Sequence, residues 1–218
     1  MTQIERYGGR HGVTLTGGDQ VFVRAIHADD KRQLLDGLER LSPQSRNRRF
    51  FSPIKTLGAR QVAYLTEVDH RTHEALVAVD PATGQGLGVA RFIRSPDDPT
   101  VAEVAVAVAD DWQNRGVGTA LLHELAARAR EEGVERFSAS VLAENRPMME
   151  LLRHLGDVRV IARDHGVVEL LMDLPAEGVP ASLRQALRAA ARSDIRLDAR
   201  HPARRTHQHR TAETPDRR

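Results

Sequence analysis

The residues best suited to chemistry lie in VAEVAVAVADDWQNRGVGTALLHELAARAREEG, residues 101–133. There Gln113-Asn114-Arg115-Gly116-Val117-Gly118 separates an alternating apolar run from a segment of helical period. A strand that turns into a helix at such a point aims several backbone N–H groups, and the positive end of the helix dipole, at one spot. That spot can seat a pyrophosphate. Gly116 and Gly118 matter because side chains there would hold the anion away from the backbone. Two other phosphate loops are excluded by spacing: GxGxxG needs a third glycine where Leu121 stands, and no Gly-Lys-Ser/Thr occurs. An ordinary strand-to-helix turn with a glycine-rich entry is the remaining alternative.

Glu103 is the one acidic residue inside the apolar run 101–108. An ionised side chain on so apolar a strand carries a desolvation cost, which argues for a purpose. The plainer reading is a solvated carboxylate at the strand's exposed end. Alternation sends Val104, Val106 and Val108 one way, and Glu103, Ala105, Ala107 and Ala109 the other. The alanines leave room beside Glu103, although helix packing favours alanine equally.

The elements that must position these residues follow from period and punctuation. Residues 1–19, with Gly8-Gly9 and Gly17-Gly18, read as a flexible lead-in. Residues 21–26 alternate as a strand, and Asp29 or Asp30 caps a helix over 31–41 with Leu34, Leu35, Leu38 and Leu41 as its apolar stripe. Ser42-Pro43 opens a short helix, and another covers 57–67. Residues 76–79 and 87–93 form a hairpin through Asp80-Pro81-Ala82-Thr83-Gly84. After the motif strand and helix come a strand at 134–142, a helix at 145–155, and strands at 158–163 and 167–173 joined by Asp164-His165-Gly166. The sum is an α/β plan: a mixed central sheet flanked by helices over 20–175, followed by a basic, partly disordered extension over 176–218. Within that extension a basic amphipathic helix over 180–197 is expected from the four-residue spacing of Leu183, Leu187 and Ala191 and of Arg184, Arg188 and Arg192.

Composition narrows the classes. The chain has 218 residues, 40% hydrophobic and 28% charged, as expected of a globular protein. Cysteine is absent, which excludes a thiol nucleophile, a thiolate metal ligand and disulfides. No apolar run approaches the length of a membrane span, and the first residues carry no apolar signal run, so a cytoplasmic location is expected. From Ala176 onward ten Arg face five Asp or Glu, a balance of +5 within a total of +2. The preceding part is therefore acidic, and nucleic-acid partners are not expected. The histidines, among them His70, His73, His165, His201, His207 and His209, show no ligand spacing, so no metal is assigned.

The motif region resembles the acyl-CoA binding signature of the GCN5-related N-acetyltransferases (GNAT), Gln/Arg-x-x-Gly-x-Gly/Ala at a strand-to-helix junction, with Gln113, Gly116 and Gly118 at its fixed positions. The resemblance covers about residues 20–174 and implies the GNAT fold. It implies acetyl-CoA as cosubstrate, held by Gln113, Asn114, Arg115, Gly116, Val117, Gly118 and Thr119. The strand backbone at Val106 and Val108 would pair with the pantetheine arm. The resemblance also implies Glu103 as the general base, because several protein-directed members hold their glutamate near this place. The segment 145–156 resembles the family's second cofactor segment, with Asn145 and Gly156 at the usual spacing. Many members carry a tyrosine seven residues after the Asn as general acid toward the thiolate; here that position is Leu152. Water, another group, or no acid at all would then serve the leaving thiolate, whose free pKa is only about 8.5.

Residues 40–51, Arg-Leu-Ser-Pro-Gln-Ser-Arg-Asn-Arg-Arg-Phe-Phe, and residues 69–79 look like the corresponding parts of bacterial Pat-type protein lysine acetyltransferases. The implied reaction is transfer of an acetyl group to a primary amine, with protein lysine preferred. A small-molecule amine acceptor, or a CoA-sensing or partner-binding module with weak turnover, are the alternatives.

Overall fold

The computed structural model describes residues 10–174, and the basic extension with its expected helix lies outside them. Eight strands form one sheet in the order β1-β2-β3-β4-β5-β6-β8-β7. They are β1 (Arg10–Thr14), β2 (Gln20–Ala25), β3 (His73–Val79), β4 (Gly86–Arg94), β5 (Val101–Val108), β6 (Arg136–Leu142), β7 (Val158–Asp164) and β8 (Val167–Asp173). Five helices flank it: α1 (Lys31–Glu39), α2 (Pro43–Phe50), α3 (Ala59–Thr66), α4 (Val117–Glu131) and α5 (Arg146–Leu155).

The expected elements are present with bounds shifted by up to three residues, and one reading is corrected. Part of the lead-in assigned to residues 1–19 is a strand: Arg10–Thr14 pairs antiparallel with β2, from Arg10↔Arg24 to Thr14↔Gln20. Its residues RHGVT show no apolar alternation. An edge strand is recruited by the unpaired N–H and C=O groups of its neighbour, which a hydrophobic pattern does not report. β3 also begins earlier than its apolar run. Glu74 is 2% exposed yet tolerated, because His70 Nδ1 lies 2.8 Å from one carboxylate oxygen and Arg128 Nε 3.3 Å from the other. Buried charges are admitted when paired, so Glu74 hid the strand's first turn from a hydrophobicity reading.

All neighbouring strands run antiparallel except β5 and β6. That parallel pair needs a crossover, which α4 supplies. The two faces of the sheet carry different helices. On one, Val21, Val23, Leu76, Phe92 and Val104 pack with Leu121, Leu122 and Leu125 of α4 and Leu152 and Leu155 of α5. On the other, Leu38, Leu41, Leu57 and Val62 from α1 to α3 and their connections pack together, with Ala107 against them.

The feature that matters for function is a splay. β5 and β6 pair over three positions, Val101↔Arg136, Ala102↔Phe137 and Glu103↔Ser138. β5 then continues to Val108 and β6 to Leu142, and they part. Beyond Glu103 the edge of β5 that faces β6 is open, while its other edge stays paired with β4 through Gly88↔Val108.

Candidate active site

A cleft of about 400 Å³ occupies the splay. Residues 103–108 of β5 line it with Ser140 and Val141 of β6, the start of α4, Asn145 and α5 on one side, and Ser45, Arg48, Arg49 and Phe51 on the other. Of the residues singled out from sequence, Glu103, Val106, Val108, Gln113, Asn114, Gly116, Gly118, Thr119 and Asn145 all border this space. Arg115 and Val117 do not.

The turn after β5 is held by an acidic pair. Arg40 Nη2 forks onto both oxygens of Asp111 at 2.8 and 2.7 Å, and Asp110 accepts from the Ser42 amide at 3.2 Å. Gln113 completes the brace. Its Nε2 donates to Val108 O at 3.1 Å, Asp110 Oδ1 at 2.9 Å and Ser45 Oγ at 3.3 Å. The signature glutamine thus ties the end of β5, its own loop and α2 together, and the Val108 carbonyl is already engaged. Val108 can therefore serve a ligand through this carbonyl only by sharing it.

Asn114 and Gly116 then take positive φ, 59° and 93°, so that the chain reverses into α4. No side chain caps the helix. The first amides of a helix have no intrahelical acceptor, and Ala120 N is the first here to reach back, to Gly116 O at 3.0 Å. The amides before it open at the cleft's edge with the helix dipole behind them, a geometry suited to an anion. Gly118 serves a second purpose: a Cβ there would stand 3.1 Å from Leu151 Cδ2, so its absence lets α5 approach.

Three of these residues have side-chain surroundings that their sequence neighbours do not announce. Arg115 is turned elsewhere, its guanidinium 4.0 Å above the Trp112 ring and 2.6 Å from Asp19. A cation beside a pyrophosphate loop is an obvious partner by type, but an aromatic face and a carboxylate from a distant loop claim it first. Val117 is 1% exposed, its side chain in the core, so only its backbone faces the loop. Finally, Glu103 is exposed to the cleft, so the desolvation inferred from its apolar neighbours is absent. The splay wets the strand just where those neighbours suggested burial.

The alanine face is shared. Ala105, Ala107 and Ala109 line a small apolar cavity of about 70 Å³ under α1 and α2, and Ala105 and Ala107 also border the main cleft. Helix packing accounts for much of this row. Asn145 acts first as the cap of α5, its Oδ1 accepting from Met148 N at 3.4 Å. Leu152, seven residues after Asn145, is 1% exposed and packs in the core.

Sequence reasoning missed the arginines of the α2 wall. Arg49 reaches the cleft, and burial pushes its guanidinium pKa down against the opposing pull of the Glu103 charge. Behind it, Arg91 of β4 is 4% exposed and donates to Leu65 O at 3.2 Å; burial, helped by the Arg49 charge, brings its pKa down to about 10. Arg48 lines the same wall. A three-to-four-residue rhythm of Ser45, Arg48 and Arg49 was legible on α2, but its polar composition resembles a solvated face. Among the described residues no group of three or more His, Asp or Glu could hold a metal ion, and no helix is long and apolar enough to cross a membrane.

Comparison with known proteins agrees with this geometry. The sequence model of the acetyltransferase (GNAT) family matches residues 42–157. The chain is 37% identical over 163 residues to Acetyltransferase Pat of Mycolicibacterium smegmatis, covering 75% of this chain but 48% of that protein. It thus spans about half the length of that relative. It is 30% identical over 153 residues to Acetyltransferase PA5475 of Pseudomonas aeruginosa, with 69% of this chain and 82% of the relative covered. Among solved structures, the GNAT domain of S. lividans PAT superposes with a TM-score of 0.70 at 34% identity, covering 76% of this chain and 97% of that one. The chain belongs to the acetyltransferase (GNAT) family.

Proposed function

We propose that this protein moves an acetyl group from acetyl-CoA directly to a primary amine, and that the amine is a protein lysine. The observation that carries the reading is the uncapped start of α4, with Gly116 at φ 93°, opening onto a cleft that holds Glu103 at the point where β5 and β6 part.

The residues fit the cosubstrate. The amides at Gly116 to Thr119 suit its diphosphate, and the open edge of β5 around Val106 offers backbone groups to the pantetheine amides. With no cysteine in the sequence a cysteinyl intermediate is excluded, and direct attack by the amine is the economical route. The difficulty is the proton. A lysine ammonium and an ordinary glutamate differ by about 6 pKa units, or about 8 kcal/mol. An exposed Glu103 therefore acts best through water, collecting the proton as the amine adds rather than removing it beforehand. Similarity of residues 40–51 to Pat-type enzymes favours lysine over a small amine, since this segment forms the α2 wall of the cleft.

The test is Glu103→Gln, which keeps shape and removes basicity. The acetylation rate should fall about 10²-fold or more while acetyl-CoA affinity stays within about twofold. An unchanged rate would defeat the base assignment. Labelled acetyl-CoA with a whole-cell lysate then separates protein acceptors from small amines. No transfer to either would leave a CoA-binding module.

A further inference from the structure

α2 carries three arginines toward its C-terminal half, and they have different fates. Arg46 is consumed internally, donating to Leu41 O at 3.0 Å, Lys55 O at 3.2 Å and Glu39 O at 3.3 Å. Arg49 lies 5.0 Å from the Phe50 ring centre and feels the Glu103 charge. Arg48 lines the cleft, and its Nε is buried with no hydrogen-bond partner among the described residues. Buried donors are normally satisfied, so an orphan on the wall of a cleft marks a side chain that turns to meet an acceptor arriving from outside. A planar guanidinium matches a carboxylate best, because two parallel N–H groups meet two oxygens.

The side of the sheet decides which ligand brings that acceptor. The diphosphate seat belongs to α4, which packs with Val104 on one face. α2 stands across β5, where Phe50 packs with the cluster that holds Ala107. Glu103 shares that alternation with Ala105 and Ala107, so the amine approaches from the α2 side. Arg49, within reach of the Glu103 charge, and Arg48 on the same cleft wall also place positive charge on the side from which the ammonium comes. That favours its neutral, reactive form, but it repels the lysine on entry. A carboxylate beside the lysine removes the repulsion and satisfies the orphan donor.

We infer that Arg48 is a specificity-determining residue that pairs with an acidic side chain flanking the acceptor lysine. This deepens the lysine-acceptor reading and rests on it.

Peptides sharing one acceptor lysine but flanked by Asp or Glu, by Ala, or by Arg are compared by kcat/KM at fixed acetyl-CoA. The acidic peptide should lead the neutral one by about 10- to 100-fold, the scale of one charge-assisted hydrogen bond. Added salt should shrink the lead. Arg48→Gln should bring the ratio to within about threefold, Arg48→Glu should reverse it toward the Arg-flanked peptide, and calorimetry should find acetyl-CoA affinity unchanged. Equal rates on all flanks in the unsubstituted protein would overturn the inference without help from any variant. A preference that survives Arg48→Gln, or a loss of acetyl-CoA affinity in it, would also overturn it, the latter by assigning the guanidinium to the cosubstrate. If small amines are acetylated and no lysine peptide is, the lysine reading itself falls and this inference falls with it.

Discussion

Replacing Gly116 by alanine probes the proposed anion seat directly. The residue sits at φ 93° and ψ −2°, at the junction where the loop becomes α4. An L-residue held in left-handed backbone costs about 1–2 kcal/mol. Restricting the unfolded chain returns about 0.4–1 kcal/mol. The new Cβ would meet Thr16 Oγ1 at 3.4 Å, tight but tolerable, so sterics add little. If the loop keeps its shape, the net loss is about 1 kcal/mol, which lowers the melting temperature by about 2–4 °C for a chain of this size. If the loop instead relaxes to negative φ, the following amides rotate off the cleft. Each charge-assisted hydrogen bond then lost is worth about 1.5–3 kcal/mol, so acetyl-CoA affinity falls at least about tenfold. Thermal melts with and without acetyl-CoA, together with calorimetry, separate the two routes. Both predict a loss. A Gly116→Ala protein with unchanged melting temperature and unchanged affinity would refute the claim that this backbone geometry builds the seat.

Two further outcomes test the scaffold. Gly156→Ala should destabilise by about 1–3 kcal/mol in a urea titration, because its Cβ would fall 2.6 Å from Asp173 O and 2.9 Å from Met172 Cγ. Its φ of −161° is ordinary extended backbone, so the whole effect would be steric. His73 gives a pH dependence: burial, aided by the Arg91 charge, brings its pKa from 6.5 down to about 4. Between those values the unfolded chain binds the proton and the folded one refuses it, so this part of the stability is present above about pH 6.5 and is lost as the pH falls toward 4. Urea midpoints at pH 7 and pH 5 should therefore diverge less in His73→Gln than in the unsubstituted protein; an equal divergence would remove His73 from the account.

How much of this was legible in the chain differs residue by residue. The period-two run of β5, the Ser42-Pro43 start of α2 and the glycines before α4 are local rules, written in consecutive residues. They were sufficient for nearly every element and for the uncapped, glycine-led start of α4. β1 was invisible, because its stability lies in a ladder with β2 rather than in its own side chains.

The site divides along the same line. The order of residue types determined by itself that an uncapped, glycine-led helix follows an apolar strand bearing one carboxylate. Only the tertiary structure decided where those groups point. Arg115 was lost to Trp112 and Asp19, a residue 96 positions away. Gln113 was committed to bracing α2 against β5. Glu103 was left wet because β5 and β6 part beside it. Arg48 was placed on the cleft wall with a donor unmet. Helix caps and alternation act over a few residues, whereas competition for a charge, and the splay that admits water, depend on segments that meet only after folding.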